Sequence, residues 1–216
     1  MERAVSGIAA PGAAVAAGRR ETLLELLQVG SGVALVFFMW SHVVLVSSVL
    51  LGGGAMDALA KFLEDTRLAY LGAPFIVLLF FLHAILAARK IPFRLDERLR
   101  GIERTRAFGH RDTITWWVQV ATGMTILVLG ATHLWVILTD FPIQAAKSGL
   151  RVYGHYYVWF YVPLLLGVEL HASVGLYRAM IKWGWAPRGL MRRAELLMTL
   201  FFLTLGSVTL AALWKL

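Results

Sequence analysis

Apolar residues gather along the chain in five long blocks, and polar residues collect between them. The first block covers about residues 23–51 and ends at Gly52, Gly53 and Gly54; the second covers about 68–88 and stops at Arg89 and Lys90, with Pro92 behind them. A third runs over about 113–139 to Asp140 and Pro142, a fourth over about 156–181, and a fifth over about 193–214. Each is about 20 residues or longer, the length a helix rising 1.5 Å per residue needs to cross the ~30 Å core of a bilayer. Inside that core every backbone N–H and C=O must bond within its own segment, so the blocks predict helices. The pattern predicts an all-α membrane protein, a bundle of five transmembrane helices over residues 23–216.

The connections carry the rest. Residues 1–22 read as a cytoplasmic N-terminal segment, with 1–20 a flexible tail or surface stretch rich in Ala and Gly, broken by Pro11 and closed by Arg19 and Arg20. Its apolar run is too short and interrupted for a signal peptide. A short polar stretch holds Asp57, Lys61, Glu64, Asp65 and Arg67, and residues 93–112 are too charged to span but suit a short surface helix. No internal repeat is evident.

Composition sharpens the picture. Of the 216 residues 59% are hydrophobic and 16% charged, against about 25% charged in soluble domains, and the mean hydropathy is +0.70. Five spans leave no room for a second globular domain. The absence of cysteine excludes a disulfide framework, a cysteine-ligated iron–sulfur cluster and covalent haem attachment. A redox centre would therefore hang on histidine or methionine, or be a diffusible quinone. The net charge of +8 does not predict a nucleic-acid partner, because it is topological. Arg3, Arg19, Arg20, the run from Arg89 to Arg111, and Arg178, Lys182, Arg188, Arg192 and Arg193 fall on one side; Lys61, Arg67, Lys147, Arg151 and Lys215 fall on the other. By the positive-inside rule the N-terminus is cytoplasmic and the C-terminus outside.

Four of the six histidines fall within spans, one on each of the first four. Counted from the span ends, His42 and His133 lie toward the outer side, and His83 and His171 toward the inner. A lone intramembrane histidine is as readily a hydrogen-bond partner for a neighbouring helix as a ligand. Four on four helices, paired by depth, fit two bis-histidine haems, which need two imidazoles on different helices and no cysteine. Zinc would want four ligands in one tetrahedron, where these pairs supply two each. Gly167 and Gly175 flank His171 by four residues, Gly130 precedes His133 by three, and Ser31 lies about three turns below His42. Each glycine alone is ordinary close packing; together with the ligands they suit a large flat cofactor. Glu169, the one carboxylate deep in a span, is either a protonated structural group or a proton relay, and cannot share the face of His171. Arg178, Lys182 and the 89–111 basic run can meet anionic haem propionates, and Trp116, Trp117, Trp183 and Trp185 suit interfacial anchors.

The stretches FMWSH (38–42) followed by SSVLLG, HRDTITWWVQ (110–119), and VELHASVGLYR (168–178) followed by KWGW resemble the dihaem cytochrome b membrane subunit of succinate:quinone oxidoreductases, in its menaquinol:fumarate reductase branch. The resemblance covers roughly residues 23–216. It implies a multi-pass protein of the bacterial inner membrane with two haem b groups, distal on His42 and His133 and proximal on His83 and His171. It implies menaquinol as substrate, with Glu64 taking part in its oxidation and Glu169 in a transmembrane proton pathway. Gln28, Trp116 and Lys182 match positions that contact the proximal propionates, with Trp117, Arg178 and His110 nearby. The implied partners are an iron–sulfur subunit and a flavoprotein subunit on the cytoplasmic side, the second carrying the fumarate chemistry. Alternatives are a cytochrome b anchor for a hydrogenase, formate dehydrogenase or nitrate reductase, the same complex run as a succinate dehydrogenase, or a non-redox membrane protein. A transporter would show broken helices or paired repeats.

Overall fold

The computed structural model describes residues 11–92, 94–109, 111–155 and 157–216. Among them the chain is helical, with no strand: α1 (Pro11–Val46) continued by a 3-10 turn (Ser47–Leu51), α2 (Gly53–Asp65), α3 (Leu68–Ala88), α4 (Leu95–Phe108), α5 (Arg111–Leu138), α6 (Ala145–Val152), α7 (Val158–Lys182) and α8 (Arg188–Trp214). Five stretches, Gly18–Leu51, Leu68–Ala88, Arg111–Leu138, Val158–Lys182 and Arg188–Trp214, are long and apolar enough to cross a bilayer. The chain is an all-α, multi-pass membrane protein. Large apolar side chains such as Leu71, Leu78, Ile85 and Trp135 stand outward, where lipid rather than water covers them.

The first helix departs from expectation. Residues 11–22, read as tail, carry the helix back to Pro11. Extending a helix that already exists needs no new nucleus, the tract is rich in Ala, and proline is tolerated in a first turn. Near its start the helix reaches the ends of its neighbours. Glu21 pairs with Arg89, and Glu25 pairs with both Lys90 and Lys182. The span starts of α5 and α8 also come a few residues early, at Arg111 and Arg188, the latter directly after Pro187.

The two ends of the bundle differ. At the basic end α4 lies across the start of α5, where the Trp117 indole donates to Thr105 Oγ1 at 3.0 Å. Asp112 gathers Tyr177, the backbone-bound Arg178 and Arg188 around it. At the opposite end α2 and α6 form a cap that hydropathy does not reveal. Val49, Met56, Ala145, Val152 and Leu213 are buried together there. Asp57 Oδ1 accepts from the backbone N–H of Ala145 at 2.7 Å, satisfying a donor that the first turn of α6 leaves open. The chain enters α2 through Gly52 at φ +109°, a conformation that side chains disfavour. α7 is the central helix, packed on α5, α8 and α1, with Leu164, Gly167, Glu169, Ala172, Ser173, Val174 and Tyr177 buried.

Candidate functional site

α1 and α5 run from the basic end to the capped end, and α3 and α7 run back. That alternation places His42 on α1 beside His133 on α5, with ring centres 6.0 Å apart. It places His83 on α3 beside His171 on α7 at 6.3 Å. The first couple lies toward the capped end and the second toward the basic end. The pairing expected from depth is the pairing the fold makes.

The separation has a chemical meaning. Two imidazoles bound to opposite sides of one metal, each N at ~2 Å and each ring centre ~1.1 Å behind its N, hold their centres ~6.2 Å apart. Aromatic edge contacts fall in the same range, so the hydrogen bonds decide what the rings offer. His83 Nδ1 donates toward the carbonyl of Gln28 at 3.2 Å, with Ser31 Oγ at 3.1 Å. His171 Nδ1 donates toward the carbonyl of Gln119 at 3.0 Å, with Thr122 Oγ1 at 3.3 Å. A carbonyl only accepts, so each Nδ1 carries the proton and each Nε2 keeps a free lone pair. That is the tautomer of a ligating histidine steered by its outer hydrogen bond. Among the described residues no group of three or more His, Asp or Glu could hold a metal together. The donor set is two imidazoles at each of two sites, which fits bis-histidine haem and not tetrahedral zinc.

Unpartnered buried atoms point the same way. Gln28 Oε1, Trp183 Nε1 and His133 Nδ1 are buried without a hydrogen bond, although buried polar groups are ordinarily satisfied. Gln28 belongs to the expected propionate contacts of the inner site. Of the others, Trp116 sits with its ring 4.7 Å from that of Trp117, and Lys182 is engaged with Glu25. Trp117 is turned to α4, Arg178 donates to the Asp112 carbonyl at 2.8 Å, and His110 lies outside the described residues.

The glycines named from their spacing to the histidines meet protein side chains. A Cβ on Gly167 would rest on Thr125 and Ile126, one on Gly175 would meet Gln119 Nε2, and one on Gly130 would meet Phe80 and Ile126. All three serve close helix packing. The glycines against the histidines are Gly32, whose Cβ would stand 2.9 Å from His83 Cε1, and Gly123, whose Cβ would stand 3.0 Å from His171 Cε1. Ser31 likewise belongs to His83 and not to His42. The signal that finds these residues is a repeat, contrary to the expectation of none. Gln28-Val29-Gly30-Ser31-Gly32 and Gln119-Val120-Ala121-Thr122-Gly123 match, and ten residues after each final glycine stands His42 or His133.

The two glutamates occupy unlike settings. Glu64, half-buried at the end of α2, accepts from the backbone N–H of Ile143 at 3.1 Å, tying α2 to the segment before α6. Glu169 is 1% exposed, and neither carboxyl oxygen has a hydrogen bond. The Trp40 indole on α1 approaches the Glu169 carboxyl, and its ring stacks on Phe202 at 5.1 Å.

Arg151 was legible only as a topological charge. It is 6% exposed and pairs with Asp140 at 2.7 Å. Tyr161, a neighbour of Arg151, has its ring 5.8 Å from that of His133. The hydrogen bond from Arg151, and next that from Lys147, hold the Asp140 carboxyl below the usual carboxylate range.

Known proteins resemble this chain over most of its length. Residues 97–212 match the family model described as succinate dehydrogenase/fumarate reductase transmembrane subunit. The chain is 37% identical over 205 residues to the fumarate reductase cytochrome b subunit of Helicobacter pylori, covering 89% of this chain and 80% of that protein. It is 33% identical over 213 residues to the fumarate reductase cytochrome b subunit of Wolinella succinogenes, covering 91% and 83%.

Proposed function

The chain belongs to the succinate dehydrogenase/fumarate reductase transmembrane subunit family, and we propose that it holds two b-type haems and oxidises menaquinol on behalf of an attached fumarate reductase. It is a membrane subunit of an oxidoreductase of the fumarate reductase type, as its cytochrome b relatives are. The observation that carries the finer reading is the pair of histidine couples, 6.0 and 6.3 Å between ring centres, set at two depths on four helices.

His83 and His171 would ligate the inner haem, with Gln28, Trp116 and Lys182 meeting its propionates. His42 and His133 would ligate the outer haem, with buried Arg151 as the nearby cation for an anionic edge. When bound, the haems supply a one-electron relay across the bilayer, from outer couple to inner. The excess of Lys and Arg at the basic end supports the reading with that end in the cytoplasm, N-terminus inside and C-terminus outside.

Menaquinol is oxidised at the capped, outer end, releasing two electrons and two protons, and Glu64 accepts a proton there. The basic end receives an iron–sulfur subunit, which hands electrons to a flavoprotein where fumarate is reduced. Glu169 returns protons inward, as a buried carboxyl deep in a spanning helix beside the Trp40 indole can gain and lose a proton. The family description covers succinate dehydrogenases too, so the same complex running toward succinate oxidation is the second reading.

The test is the complex purified with its partner subunits in proteoliposomes. The reading expects haem b and menaquinol-driven fumarate reduction; faster succinate oxidation selects the second direction. A haem-free preparation that takes no electrons from menaquinol overturns both.

A further inference from the structure

α1 and α5 are two copies of one device. Each carries Gln-Val-Gly/Ala-Ser/Thr-Gly, then a histidine ten residues on, and each runs from the basic end to the capped end. In each, the backbone carbonyl of the glutamine accepts Nδ1–H from the histidine of the following spanning helix. In each, the hydroxyl three residues later touches the same Nδ1, and the final glycine lies under the same ring. The hydroxyls are themselves aimed, since Ser31 Oγ donates to the Gln28 carbonyl at 3.0 Å and Thr122 Oγ1 to the Val118 carbonyl at 2.7 Å.

We propose that Ser31 with Gly32, and Thr122 with Gly123, are positioning residues of a duplicated strap that fixes both ligands of the inner haem. The inference rests on the haem reading above and adds how that site is preorganised. The strap acts in two ways. The carbonyl and hydroxyl set the tautomer and the rotation of the imidazole, and raise its electron donation to the metal. The glycine admits the ring edge against the helix backbone.

The third position of the motif is a control supplied by the sequence. It is Gly30 in α1 and Ala121 in α5, and a Cβ on Gly30 would meet nothing within 4 Å. Where the ring is absent the residue varies between copies. Where the ring is present both copies are glycine. In the outer couple His133 Nδ1 is buried without a partner among the described residues, so the strap distinguishes the two sites.

The experiment compares Gly32→Ala, Gly123→Ala and Gly30→Ala in the assembled complex. It reads haem per protein, the low-spin ferric spectrum and the two midpoint potentials. Alanine is a better helix former than glycine, so loss in the first two variants does not follow from a weaker helix. Gly32→Ala and Gly123→Ala are expected to drop the ratio from two haems to one, or turn the inner haem high-spin, with the outer signal intact. Gly30→Ala is expected to match wild type. As a second arm, Ser31→Ala with Thr122→Val should keep both haems and raise only the inner midpoint. Two haems with unshifted inner spectrum and potential in either arm overturn the strap, as does equal damage from Gly30→Ala. A wild-type complex without haem overturns the parent reading instead, so the two failures are separable.

Discussion

Glu64→Gln separates two roles that one carboxylate holds. The side chain ties α2 to the chain before α6 through Ile143 N–H at 3.1 Å, and in the proposed function it also accepts a proton from menaquinol. Glutamine keeps an oxygen that can accept from Ile143 but takes up no proton at neutral pH. Exchanging a charge-assisted hydrogen bond for a neutral one costs about 1 kcal/mol, which leaves the capped end folded. General-base transfer is worth about 10²–10⁴ in rate, or roughly 3–5 kcal/mol of barrier. Menaquinol oxidation, followed spectrally with an artificial electron acceptor, should therefore fall by about 100-fold or more with both haem signals retained. Glu64→Ala should lose the tie as well, and open residues 139–145 to proteolysis. A glutamine variant at the wild-type rate with intact haem spectra refutes the role of Glu64.

Glu169→Gln should leave electron transfer from quinol to fumarate competent in detergent but change the membrane voltage developed in proteoliposomes; equal voltage in both proteins removes Glu169 from proton return. Asp57→Ala deletes the bond to Ala145 N–H at 2.7 Å and should cost about 1 kcal/mol at the start of α6, read as a lower melting temperature with unchanged haem content. Asp140 has its carboxyl lowered by Arg151 and Lys147, so its contribution is present above the unfolded value of about 3.9 and fades as pH falls through the lower folded value. Hydrogen exchange of residues 139–152 should accordingly be insensitive to this group between about pH 8 and 5 and rise only below about 4, and Asp140→Asn should show the loosened state at neutral pH.

The spans were legible because a bilayer demands long apolar helices, and the histidine couples were legible because depth can be counted from a span's end. What stayed hidden depends on contacts that leave no periodic trace. The cap of α2 and α6 hangs on Asp57 and Glu64 reaching backbone N–H groups of Ala145 and Ile143, far away in sequence and indistinguishable from loop carboxylates. Arg151 looked like an outer-loop charge because its burial is set by Asp140 and the packing of α6. Gly167 and Gly175 flank His171 on its own helix, whereas the glycines set directly against His83 and His171 are Gly32 and Gly123 on the neighbouring α1 and α5. The repeat that marks them is short and built of small residues, and it surfaces only when the two helices are aligned on His42 and His133.

The most direct test is to replace His42, His83, His133 and His171 singly with alanine and count haem in the purified complex by reduced-minus-oxidised and low-spin ferric spectra. The account predicts that His83→Ala and His171→Ala disturb the same haem, that His42→Ala and His133→Ala disturb the other, and that each single change leaves its opposite signal in place. Retention of both unperturbed haems in any one of the four variants, or a different grouping of the four, contradicts it.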